Sequence, residues 1–157
     1  MVRIELSTRI AAPVERVFDL ARSIDLHMAS TDWTGERAIA GVTHGLIGPE
    51  QEVTWRGRHF GFMVRHTSLI TIYERPTHFQ DVMVRGLFKS FRHDHFFEAR
   101  EDATIMKDRM EFVAPLAPLG RLAERIARDN HLRNLLERRN ACIQRVAESD
   151  EWKTLLL

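Results

Sequence analysis

Two histidines with one residue between them, His93 and His95, sit in a run that alternates from Phe91 to Arg100. Side chains on a strand point alternately to its two faces, so both imidazoles share a face with Phe91 and Phe97. The next run, Ala103–Val113, sets Thr104, Met106, Asp108, Met110 and Phe112 on one face against Ile105, Lys107, Arg109 and Glu111 on the other. Lys, Arg and Glu belong in water, which turns Met106, Met110 and Phe112 inward and carries Asp108 with them. If Arg100 pairs with Ala103 across Glu101-Asp102, then Phe97 falls opposite Met106, His95 opposite Asp108, His93 opposite Met110, and Phe91 opposite Phe112. Opposed Cβ atoms lie about 4.5–5.5 Å apart, within reach of a histidine–carboxylate hydrogen bond. A two-residue shift would set Asp108 against His93 or Phe97; a one-residue shift is excluded by face. The preceding run, His78–Arg85, puts Phe79, Asp81, Met83 and Arg85 on one face, and its turn brings Asp81 opposite His93 or His95.

Asp81, His93, His95 and Asp108 are therefore expected on the inner wall of three adjacent strands. Buried charge is costly unless paired, so these groups should bond to one another or to a ligand. Three chemistries suit them. The first is a satisfied polar network that fixes strand register. The second is a polar anchor in an otherwise apolar pocket. The third is a metal or acid–base site, since His-x-His with a carboxylate matches a divalent metal's ligand set. That spacing alone is a weak signal, and neither a metal nor a cofactor is assigned. Trp55, with Val53 and Gly57, would oppose His66, with Val64 and Ser68, across the Phe60-Gly61 turn, making His66 another inward polar group. Arg56, Arg58 and His59 are expected on a solvated basic edge. There is no Gly-rich phosphate loop, Gly-x-Ser-x-Gly elbow or Cys-x-x-Cys.

The elements that must position these groups follow from periodicity. Val2 to Ala11 alternates as a half-buried strand. Pro13 opens a short helix with an apolar stripe of Val14, Val17, Phe18 and Ala21. Ser23 and Asp25 are candidate caps for a second short helix reaching about Ser30. Glu36 to Ala40 is a weak strand. The runs Gln51–His59, Phe62–Tyr73, His78–Arg85, Phe91–Arg100 and Ala103–Val113 are joined by links too short for parallel crossovers, so they form antiparallel hairpins. After Pro115 and Pro118 the 3.6-residue period predicts one long helix from about Leu119 to Glu148, its stripe interrupted by the polar Asp129 and Asn140. The fold class is α+β: a seven-stranded curved antiparallel sheet, two short helices after the first strand, and a C-terminal helix covering the apolar face. A gap between such a sheet and its helix is where a ligand would sit.

Composition narrows the function. At 157 residues the chain suits one domain, residues 1–157, with enough core to need no disulfide or metal for folding. Hydrophobic residues at 44% and charged residues at 29% are ordinary globular values. Lys and Arg number 23 against 22 Asp and Glu, a balance that argues against nucleic acid as a partner. No stretch is long and apolar enough to span a bilayer. The single Cys142 and the charged N-terminus point to a cytoplasmic protein.

The opening Ile4-Glu5-Leu6-Ser7-Thr8-Arg9-Ile10-Ala11-Ala12-Pro13-Val14-Glu15-Arg16-Val17-Phe18 resembles the start of the SRPBCC superfamily, which includes START lipid-transfer domains, polyketide cyclases and birch-pollen-allergen-like proteins. The element order is similar to that family's helix-grip fold over about residues 2–148. A bacterial subgroup of SRPBCC ligand-binding proteins is resembled more closely. The residues are Phe79, Asp81, Gly86, Phe88, Phe91, His93, His95 and Phe97, then Thr104, Met106, Asp108, Phe112, Pro115 and Leu119. Met83 and Leu87 depart from that pattern, which has a polar residue and a proline there. The resemblance implies a fold and a cavity but not one reaction.

The primary expectation is binding of an apolar or amphipathic small molecule, lipid-like or polyketide-like, between sheet and C-terminal helix. Phe79, Met83, Phe91, Met106, Met110, Phe112, Leu122 and Ile126 would form apolar walls, with Trp55 and His66 alongside. Asp81, His93, His95 and Asp108 would orient a polar group. The first alternative is a cyclase- or dehydratase-type enzyme in which His95, tuned by Asp108, is the base and Asp81 or His93 the acid. The second is a protein-binding regulator of the ribosome-association toxin type, using an exposed edge or the Trp152–Leu157 tail. The chain would be a monomer or homodimer.

Overall fold

A computed structural model describes residues 1–115, 126 and 130–157. The seven strands are β1 (Val2–Ile10), β2 (Arg37–Gly41), β3 (Glu52–His59), β4 (Phe62–Glu74), β5 (His78–Arg85), β6 (Ser90–Arg100) and β7 (Ala103–Val113). They make one antiparallel sheet ordered β1-β7-β6-β5-β4-β3-β2, so every neighbour pair except β1–β7 is a hairpin or a sequential link. The alternation along each strand explains the pairing: a hairpin register buries a whole face at once, and slipping one residue would expose it. The β6–β7 register is the expected one, with His95 opposite Asp108, His93 opposite Met110 and Phe91 opposite Phe112. Trp55 faces His66 across β3–β4, and Asp81 faces His93 across β5–β6. Register shifts in β4 fall between Thr67 and Ser68 and between Ile70 and Ile72. Such bulges bend a strand and increase its twist, which helps the sheet curl.

The helices α1 (Val14–Ala21) and α2 (Ile24–Ser30) follow β1, then a 3₁₀ turn at Asp32–Thr34. Ser23 caps α2 through the Leu26 amide, whereas Asp25 accepts a hydrogen bond from the Gly45 amide at 2.7 Å and pins a loop instead. Phe18 on α1 is fully buried, with Tyr73, Phe79 and Phe97 at T-shaped angles around it. A second apolar cluster gathers Ile4, Met110, Phe112, Ile126 and Leu136.

The C-terminal helix departs from the single rod expected from about Leu119 to Glu148. Ile126 is helical and buried, but Asn130 is exposed and non-helical, and α3 begins afresh at His131 and runs to Ala147. The apolar period continues through Leu132 and so carries no trace of the break. Leu119, Leu122 and Asp129 lie outside the described residues. Helix α3 lays Leu136, Ile143, Val146 and Ala147 against the inner face of the sheet and the short helices. The tail forms α4 (Trp152–Leu156), which docks back: Trp152 packs under the Arg16 guanidinium at 4.2 Å, and Leu155 and Leu156 pack on the core. None of the described helices is long and apolar enough to cross a membrane.

The outer face of the sheet carries its own polar order. Glu111, expected in water, is covered by Arg3 and Arg92. Asp94 is buried beneath His78 and Gln80, at 3.0 and 2.7 Å.

Candidate functional site

A cavity of about 160 Å³ lies between the sheet, α1–α2 and α3. Phe79, Phe91, Met110, Leu136, Val53 and Trp55 supply apolar wall, and polar side chains gather at two places on its surface.

The first polar pole is built on β5, β6 and β7. His93 and His95 are buried, and their ring centroids are only 3.8 Å apart. Same-face neighbours on a strand start roughly 6.6 Å apart at the backbone, so the rings lean toward each other. His93 Nε2 lies 2.9 Å from Asp108 Oδ1, and His95 Nδ1 lies 3.1 Å from the same oxygen. His95 Nε2 lies 3.1 Å from Asp81 Oδ2, and His93 Nδ1 lies 3.9 Å from that oxygen. Asp81 Oδ1 accepts from Ser68 Oγ at 3.2 Å, and Ser68 in turn contacts His66 Nε2 at 3.0 Å. The His95 ring stacks on Phe79 at 4.1 Å.

Helix α3 closes this pole from above. Asn140 Nδ2 donates to Asp108 Oδ2 at 2.7 Å. Arg139, itself buried, sends Nη2 to the Ala21 carbonyl at 2.9 Å and Nη1 toward Asp108 Oδ1 at 3.5 Å. Burial alone would push the Asp108 carboxyl up. Hydrogen bonds from His93 and His95 and the Arg139 charge outweigh it and hold the group well below the usual carboxylate range. Asp81 follows the same logic: burial opposes ionisation, but the His95 hydrogen bond and the two imidazoles lower its pKa. His93 is pushed down, first by burial and then by the neighbouring His95, and so stays neutral near pH 7. His66 is lowered by burial as well.

The second pole centres on Glu36, a buried carboxylate just before β2. His27 Nε2 lies 2.6 Å from Glu36 Oε1 and His59 Nε2 lies 2.8 Å from Oε2. His59 Nδ1 contacts His131 Nε2 at 2.9 Å, and His27 stacks over Trp55 at 4.2 Å. Gly57 makes room for this: a Cβ there would sit 3.0 Å from the Glu36 Cβ and 3.1 Å from its Cα. Burial raises the Glu36 pKa, but the hydrogen bonds to His27 and His59 outweigh it and leave the carboxyl strongly lowered.

Of the residues singled out by sequence, Trp55, His66, Phe79, Asp81, Phe91, His93, His95 and Met110 line this one cavity. Asp108 stands behind the imidazoles rather than on the wall. Met106 packs into the cluster around Phe18, and Phe112 and Ile126 into the cluster around Leu136, one layer from the cavity. Met83 is half-buried beside Gly86, where a Cβ would come within 2.6 Å of its sulfur. Leu122 falls outside the described residues.

Sequence reasoning missed Arg139, Glu36 and His27, and placed His59 on a basic edge where the fold turns it inward. Arg139 did leave a signal. It lies three residues after Leu136 and four before Ile143, on the buried stripe itself. Glu36 and His27 belong to no motif and meet His59 only through the packing of α2 on β3.

No protein-family model and no curated protein matches this sequence. Solved structures do match, at low identity. TTHA0849 from Thermus thermophilus superposes with a TM-score of 0.70 at 14% identity, over 93% of this chain and 99% of that one. Ginseng major latex-like protein 151 from Panax ginseng gives 0.68 at 12% identity, covering 94% and 98%. The Zhui aromatase/cyclase from Streptomyces sp. R1128 gives 0.68 at 15% identity, covering 97% and 93%. These likenesses span nearly the whole of each chain, and a START superfamily protein from Mycobacterium smegmatis joins them at 0.63. The chain therefore has the helix-grip fold that these structures share.

Proposed function

We propose that this is a cytoplasmic protein that binds a compact amphipathic small molecule between its sheet and α3. The observation carrying the proposal is a cavity with mainly aromatic and aliphatic walls that ends on Asp81, His93 and His95. Apolar walls with a few convergent polar groups are what a ligand site needs: area for affinity, hydrogen bonds for orientation. Size sets the class. An apolar cavity of roughly 150 Å³ accepts a single benzene ring, and this one measures about 160 Å³. The buried part of the ligand is thus one ring or its aliphatic equivalent, bearing a hydroxyl, carbonyl or ring nitrogen. A longer lipid-like or polyketide-like molecule would enter only as the cavity widens.

The test is calorimetric titration with phenol and toluene, rings of similar size that differ in one hydroxyl, alongside native mass spectrometry of the purified protein. Phenol should bind at least about tenfold tighter, the equivalent of one hydrogen bond of about 1.4 kcal/mol. His95→Ala should erase that preference. If neither ring binds, no apolar dye binds and no small molecule copurifies, the proposal fails.

A second reading is acid–base catalysis of the cyclase or dehydratase type. The observation favouring it is that two imidazoles open on the cavity with Asp108 behind them. A neutral His93 is suited to be the base, whereas an ionised Asp81 has no proton to give near pH 7. That makes His93 the base, the reverse of the assignment from sequence, in which His95 is the base and Asp81 or His93 the acid.

A further inference from the structure

Four imidazole nitrogens meet two carboxylate oxygens at the first pole. His93 Nε2 and His95 Nδ1 face Asp108 Oδ1 at 2.9 and 3.1 Å; His95 Nε2 and His93 Nδ1 face Asp81 Oδ2 at 3.1 and 3.9 Å. A neutral imidazole carries one N–H, so two neutral rings supply two donors for these four nitrogens, and Arg139 Nη2, 3.4 Å from His95 Nδ1, offers a third. With the His93 Nε2 proton on Asp108, the lone pair of His93 Nδ1 is turned toward Asp81 Oδ2. His95 has two neutral forms: its proton on Nε2 bonds Asp81 while Nδ1 accepts from Arg139, or its proton on Nδ1 points to Asp108 and leaves the Nε2 lone pair converging with those of His93 Nδ1 and Asp81 Oδ2. The second form presents three donors to a cation.

We propose that Asp81 Oδ2, His93 Nδ1 and His95 Nε2 form a three-donor site for a first-row divalent transition metal. The three donor atoms lie within 4.8 Å of one another. Ligands bound at about 2.0–2.1 Å in a tetrahedron stand about 3.3 Å apart. The Asp81 to His95 edge of 3.1 Å and the Asp81 to His93 edge of 3.9 Å bracket that value, so small side-chain shifts close the site. The surroundings are those a metal site requires. Metal-bound histidines pass their second N–H to a carboxylate, which fixes ring and tautomer. Asp108 stands in that position for both rings, itself held by Asn140. Ser68 takes the other Asp81 oxygen and aims Oδ2 at the imidazoles. All three donors line the cavity, which leaves the metal's remaining positions facing the space a ligand would enter. Three protein ligands with an open position is the arrangement of a working rather than a structural site. The metal would present a Lewis acid to the polar group of a bound molecule. It shares this pole with the proposed ligand, but metal binding is read without any organic ligand, so the two proposals fail separately.

The experiment is titration of chelator-treated protein with Zn²⁺ by calorimetry and with Co²⁺ by visible absorption. Expected are one equivalent of each bound and an intensified cobalt d–d band of low coordination number. Asp81→Asn and His95→Ala should weaken Zn²⁺ at least 100-fold, and Asp108→Asn by about 10–100-fold, as outer carboxylates do. Glu36→Gln, at the other pole, should leave binding unchanged. Circular dichroism checks that each variant is folded. If His95→Ala is not, the isosteric Asp81→Asn decides. No binding, binding that survives Asp81→Asn, or binding abolished by Glu36→Gln overturns the proposal.

Discussion

Removing the Asp108 carboxylate is the sharpest test of how the inner network holds the fold. Asp108 has no exposed side-chain surface and collects His93, Asn140 and Arg139. In Asp108→Ala the Arg139 guanidinium stays in the interior with the neutral oxygens of Ala21 and Asn140, at 2.9 and 3.2 Å, and His95 Nδ1, at 3.4 Å, as its partners. Stranding one member of a buried ion pair costs about 3–5 kcal/mol. Arg139→Met alone strands Asp108 instead, but Asn140 and His93 still bond it, so the cost should be nearer the lower end of that range. The double variant removes the orphan from both sides. Its cost should fall short of the sum by about 2–3 kcal/mol, the upper range for residues in direct contact. Urea unfolding followed by fluorescence of Trp33, Trp55 and Trp152 measures this, provided the slope with denaturant is the same for all four proteins. Two results would refute the reasoning: an Asp108→Ala cost below about 1 kcal/mol, as expected of a solvated group, or strict additivity in the double variant.

Acidification should destabilise the protein from near neutrality. His93 and His66 have lowered pKa values in the folded state, so below the unfolded value of about 6.5 the unfolded chain takes up protons that the folded one refuses. Stability is then full above pH 6.5 and declines below it by up to about 1.4 kcal/mol per pH unit for each group. Unfolding curves at pH 7.5, 6.0 and 5.0 read the slope, and His93→Gln should flatten it. The lowered carboxyls of Glu36, Asp81 and Asp108 add a second decline as pH falls through and below about 4, their usual range. Phe18→Ala should cost about 3–5 kcal/mol in the same assay, because the ring is fully enclosed by Tyr73, Phe79 and Phe97. Gly57→Ala should cost about 1–3 kcal/mol by overpacking against Glu36. A nitrogen-15 NMR spectrum of the imidazoles should show His59 losing its Glu36 contact in that variant.

The strands, their hairpin register and the inward turn of Asp108 were legible in the residues because a strand has period two. Once Lys107, Arg109 and Glu111 are assigned outward, Asp108 has one direction left, and Met106 and Met110 follow it. Which imidazole bonds which acid was not legible. Register sets His95 opposite Asp108, yet the leaning rings give Asp108 its hydrogen bond to His93 and turn His95 Nε2 to Asp81. That choice depends on side-chain rotamers packed against Phe79 and α3, which no one-dimensional pattern records. The helix break at Asn130 and the Glu36 pole belong to the same class. Local periodicity tells a side chain which way to face. Which partner it meets there, and how much space remains between them, is decided only when distant segments pack together.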